Sequence, residues 1–133
     1  MKFLSLISIL SLLLIATSCK KNSDTVSYPV TERKIRYVLS TDQDFSGVNI
    51  NVAFTVFIND ETNNRVWDSL LPSMKLKDIP SQANSLVVEK AVPGNVQSLL
   101  KVGFLYTIEN IGSSQYIDTS NAGSTLKVVN FNF

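Results

Sequence analysis

Val48-Asn49-Ile50-Asn51-Val52-Ala53-Phe54-Thr55-Val56-Phe57-Ile58 is the stretch that decides the fold class. Val48, Ile50, Val52, Phe54, Val56 and Ile58 are all apolar, and Asn49, Asn51 and Thr55 fall between them. A period of two puts the first set on one face of a β-strand and the second on the other. The same alternation returns in Leu100, Val102, Phe104, Tyr106 and Ile108. Shorter strands are predicted at 35–39, 66–71, 74–77, 86–89, 115–118 and 125–133. Turn-forming residues separate them: Asn59-Asp60 through Asn63-Asn64, Ile79-Pro80-Ser81, Pro93-Gly94-Asn95, Ile111-Gly112-Ser113 and Asn121-Ala122-Gly123. Past the leader no segment repeats at helical spacing, and 94–101 allows one helical turn at most.

Seven or eight short strands in about 100 residues indicate an all-β, two-sheet antiparallel sandwich. The pattern resembles Ig-like and transthyretin-like sandwiches. Trp67 falls on the third strand, as in Ig sandwiches, with Trp67, Ser69 and Leu71 facing inward and Asp68 facing solvent. The cysteine pair of antibody domains is absent, so the likeness is architectural and implies no function.

The N-terminus is organised differently. Met1-Lys2 is a short positive region, and residues 3–15 are apolar except for Ser5, Ser8 and Ser11. The run is shorter than the roughly 20 apolar residues a membrane-spanning helix needs, and it ends in the small residues Ala16-Thr17-Ser18. Ile15-Ala16-Thr17-Ser18-Cys19 resembles a lipobox, with Ala16 where the usual pattern has Leu. The resemblance implies cleavage after residue 18 and two or three acyl chains on Cys19. Two chains hold a protein on a bilayer stably where one holds it only marginally. Lys20 replaces the Asp that marks inner-membrane retention in Gram-negative lipoproteins, so the resemblance implies the outer membrane. Cys19 through Glu32 is polar, contains Pro29 and reads as a tether. These residues reach about 45–50 Å when stretched. The expected organisation is a signal peptide at 1–18, a lipidated cysteine and tether at 19–33, and a sandwich at 34–133.

Composition excludes several functions. The chain has no histidine, which removes Ser-His and Cys-His nucleophile pairs, His-ligated zinc and His-based proton transfer. Its single cysteine allows neither an internal disulfide nor a thiolate cluster. Of the 12 Lys and Arg only Lys2 lies in the leader, and all 11 acidic residues lie after it, so the mature side chains balance. The basic surplus of a nucleic-acid binder is missing. No cofactor is expected.

The remaining candidates are local. Asp42, Asp44 and Ser46, followed by Gly47, match the opening of a calcium loop. The match then fails, because Ala53 stands where the bidentate Glu belongs and a strand follows instead of a helix. A plain turn uses the same residues. Asp42, Asp44, Asp60, Glu61 and Glu89 are the carboxylates available for a hydrolase that works without histidine, but nothing in their spacing brings two together. Tyr28, Phe45, Phe57 and Tyr116 are candidate stacking aromatics for a sugar or peptide. Phe57 joins them because it lies opposite the core-directed Phe54 and Val56. Arg33, Lys34 and Arg36 stand beside the tether, where anionic headgroups would meet them. Val129, Phe131 and Phe133 read as the inward face of a last strand, since the chain is too short for a membrane barrel. The function expected is that of a non-enzymatic, membrane-tethered module that binds or scaffolds an envelope protein, a polysaccharide or a transport complex. The rivals are a pilin-like subunit assembling by strand exchange and a carboxylate-based hydrolase.

Overall fold

The computed structural model of the protein describes residues 32–92 and 98–133. The leader, Cys19, Tyr28 and the 93–95 turn lie outside the described residues. Eight strands follow in chain order: β1 (Arg33–Ser40), β2 (Asn51–Asp60), β3 (Arg65–Leu70), β4 (Met74–Lys75), β5 (Leu86–Val92), β6 (Leu100–Ile108), β7 (Gly112–Ser120) and β8 (Leu126–Asn132). They form two sheets, β5-β1-β8 and β3-β2-β6-β7, with β4 added to β2. This is the all-β sandwich expected from the alternation, with several departures.

The sheets are not wholly antiparallel. β8 pairs with β1 in parallel, from Lys34↔Leu126 to Ser40↔Asn132. The chain crosses between layers after β7, at the end where β1 begins, so β8 must run in the same direction as β1. The predicted strand at 74–77 stops after Lys75 and gives way to a 3₁₀ turn, Leu76–Asp78. Leu76 and Ile79 are both buried. Three-residue spacing brings such a pair to one side of a 3₁₀ turn, which strand geometry does not. Finally, β1 begins at Arg33, which therefore belongs to the sandwich and not to the tether. No helical turn forms at 98–101, where Leu100 opens β6.

The alternation read from β2 and β6 is the core. Val52, Phe54, Val56 and Ile58 of β2 and Leu100, Val102 and Phe104 of β6 are buried with Ile35, Tyr37 and Leu39 of β1 and Val129 of β8. Val48, Ile50, Trp67, Tyr106, Ile108, Phe131 and Phe133 pack against this group while keeping some exposure. One polar bond crosses the layers within it. The Tyr37 hydroxyl donates to the Phe57 carbonyl at 2.6 Å, which satisfies a phenol that burial would otherwise leave without a partner. Burial pushes that hydroxyl's pKa up, and the nearby Arg65 charge offsets only part of the rise.

Asn supplies left-handed backbone in two of the turns. Asn63, between β2 and β3, has φ 70°, and Asn110, between β6 and β7, has φ 60°. Gly103 is required for a different reason. It lies within β6, opposite Ile117 of β7, and a Cβ there would stand 1.9 Å from the Tyr116 carbonyl oxygen. Backbone, not a flexible side chain, fills that space. Gly103→Ala is therefore expected to cost about 3 kcal/mol by forcing β7 away from β6. Urea denaturation checks this: the midpoint falls while the slope stays the same.

Candidate functional site

The chain enters the sandwich at one end, through exposed Glu32 and then Arg33. The same end carries the Glu61–Asn64 turn and the crossing from β7 to β8. The opposite, far end carries the 41–50 loop, the Asn110 turn and Phe133. The sequence-level candidates divide between these ends and the sheet faces.

At the entry end the basic cluster splits. Arg33 is 2% exposed and its guanidinium donates to the carbonyls of Ser98 (2.8 Å) and Ser120 (3.3 Å). Burial lowers its pKa. Alternation explains the split, since Arg33 shares the inward face with Ile35 and Tyr37, and a long side chain at a strand's end reaches carbonyls there. Arg36 points outward and pairs with Glu89 at 2.6 Å, while Lys34 is exposed. Three neighbouring cations thus do three different things and form no single patch.

The carboxylates are dispersed. Asp42 and Asp44 are at the far end, Asp60 and Glu61 at the entry end, and Glu89 on the outer face of the three-stranded sheet. Asp60 accepts from the Thr62 hydroxyl (2.7 Å) and amide (2.9 Å) and from the Asn64 amide (2.8 Å), holding the β2–β3 turn together. The Thr62 hydroxyl is the chief cause of its lowered pKa. Asp44 accepts from the Ser46 amide at 2.9 Å, and that bond lowers its pKa. This is the local side-chain turn expected of Asp two residues before an amide. Among the described residues no three His, Cys, Asp or Glu side chains converge as a metal site would.

Among the described residues, the aromatic candidates Phe45, Phe57 and Tyr116 prove to be packing. Phe45 lies 6.0 Å from Phe133, and Tyr116 stacks on Phe131 at 5.2 Å with the planes 20° apart. Phe57, expected to be exposed, is 1% exposed. The alternation of β2 gives its position on the outer face but not its neighbours. Gly103, its partner on β6, places no side chain in its way, and the Arg65 guanidinium sits 4.7 Å over the ring. Cation and ring attract, and the arginine stem covers the remaining apolar surface.

What the sandwich does expose is aliphatic. Val66, Leu70, Leu105 and Ile117 are 37–66% exposed. Leu70, Leu105 and Ile117 share the outer face of the five-stranded sheet: Leu70 and Leu105 both pair with Thr55, and Ile117 pairs with Gly103. Periodicity flags none of them as a surface, because next to each on its outward face stand polar residues or glycine, with Asp68 beside Leu70, Gly103 and Thr107 beside Leu105, and Gln115 and Thr119 beside Ile117.

Both flanks where the layers meet are closed by charged side chains. On one, the Lys90 ammonium lies 5.2 Å over the Trp67 ring. On the other, Lys127 meets Asp118 at 2.6 Å with both side chains at least two-thirds buried. Comparison with known protein families, with curated proteins and with solved structures gives no match.

The Asp118–Lys127 pair sets a pH dependence. Burial alone pushes the Asp118 carboxyl up, but bonds from Lys127 and the Thr119 amide, with the Lys127 charge, outweigh it and hold the pKa below the usual aspartate value. A carboxyl lowered by folding adds stability above its unfolded pKa of about 3.9, and that stability is lost as pH falls through the folded value. Asp118→Asn is expected to lower stability by about 1 kcal/mol at pH 7. Urea melts across pH should show the gap between variant and parent closing as pH falls below the ordinary aspartate pKa.

Proposed function

We propose that the protein is a lipid-anchored module of the cell envelope, held at Cys19, that binds or scaffolds a partner without catalysing a reaction. The observation that carries this reading is the point of entry. Glu32, the last residue of the polar stretch that begins at Cys19, leads straight into β1, the central strand of its sheet. A body joined this way stands off a membrane with its far-end loops and both outer faces free.

The dispersal of the carboxylates and the lack of histidine support a non-enzymatic role. The exposed Leu70, Leu105 and Ile117 support contact with an envelope protein or polysaccharide at the outer sheet face. Lys20, in place of an inner-membrane retention Asp, supports the outer membrane. Charged side chains turned inward at the flanks, Lys90, Asp118 and Lys127, weigh against assembly by strand addition.

Cys19→Ala tests the anchor. Parent protein is expected in the outer-membrane fraction and to incorporate labelled palmitate, with the variant soluble and unlabelled. A variant that still sediments with membrane would mean an uncleaved leader and would overturn the lipid anchor.

A further inference from the structure

We propose that the sandwich is a mechanical link, built to resist tension between its point of entry and the end of β8. β1 and β8 lie side by side and run in the same direction. Force that draws residue 32 away from the entry end and residue 133 away from the far end therefore slides one strand along the other. Seven residue pairs, from Lys34↔Leu126 to Ser40↔Asn132, are strained together. The hydrogen bonds of a parallel ladder are evenly spaced, so no weak pair gives way first.

Sliding is also opposed by side chains. A shift of one residue turns the inward set outward. Any larger shift must draw Ile35, Tyr37 and Leu39, or Val129 and Phe131, out of the packed interior. The pulled end of β1 is further tied across the layers: Arg33 donates to the Ser98 and Ser120 carbonyls, and Tyr37 to that of Phe57. On its other edge β1 is paired with β5 along its length, from Arg33↔Val92 to Leu39↔Leu86. The strand that receives the force is thus held on both edges and on its inner face.

Pulling residues 32 and 125 apart is a different matter. Both stand at the entry end, where the Lys34 amide donates to the Thr125 carbonyl, and the ladder then opens one pair at a time. The use of this resistance at a membrane rests on the anchored reading above, but the resistance itself does not.

Single-molecule force spectroscopy on the full chain carrying Cys19→Ala separates the two geometries within one fold. One attachment pair is Glu32→Cys with a cysteine appended after Phe133. The other is Glu32→Cys with Thr125→Cys, both exposed positions. At equal pulling speed the first is expected to rupture at roughly twice the force of the second or more, because forced opening follows the unfolding barrier. Equal forces, or a weaker first geometry, would overturn the proposal. Neither result depends on whether Cys19 is lipidated, so the anchor and the link stand or fall separately.

Discussion

The ring of Phe131 is where the two layers become one body. It sits 5.2 Å from Phe104 and from Tyr116, and 5.5 Å from Tyr106, three rings that belong to the opposite sheet. Phe133, just past the end of β8, reaches Phe54 at 5.4 Å and Tyr106 at 5.3 Å. With one cysteine in the chain, no internal disulfide can hold the sheets together, so the joining falls to rings like these. β8 depends on this because it pairs along one edge only. Its inward side chains therefore act twice, filling the interior and holding their own strand in register.

Polar groups then close what the rings leave open. A two-layer sandwich has two flanks and two ends where apolar side chains run out before the backbone does. Lys90 over Trp67 and Lys127 against Asp118 cover the flanks, and Arg33 covers the entry end. Each is a long side chain whose apolar stem lies along the core and whose charge finds a ring, a carboxylate or a carbonyl. The interior correspondingly contains few charges, and the hydrogen bond that crosses its apolar centre comes from a tyrosine whose ring is itself packing material.

The strands were legible because their signal is local. Alternation in 48–58 and 100–108 needs only the residues themselves, and it identified the inward faces of β2 and β6 and the fold class with them. β7 was read too short, at 115–118, because its Ser, Gln and Thr residues carry no apolar period at the ends of an edge strand. The parallel direction of β8 was not legible, since it follows from where the chain crosses between layers. The candidate sites failed for a related reason. Phe57 lies on the face its alternation gives it, and Arg33, expected beside the tether where headgroups would meet it, is buried instead; what surrounds them is Gly103, Arg65, Ser98 and Ser120, residues 8 to 87 positions away. A single strand's pattern states which way a side chain points and is silent about what it meets. The exposed Leu70, Leu105 and Ile117 show the limit most clearly, because they become one surface only once β3, β2, β6 and β7 are laid side by side.

That surface and the Phe131 cluster use the same two strands in opposite ways. Along β6, Phe104 and Tyr106 turn inward to the rings while Leu105 turns outward. Along β7, Tyr116 turns inward and Ile117 outward. Alternation makes the two faces inseparable, since a change of register that buried Leu105 and Ile117 would expose the rings that hold β8. The outer aliphatic face is therefore fixed by the interior, and it stays at the surface as long as the sandwich is folded. Its place in the fold is thus set by the register that packs the rings beneath it.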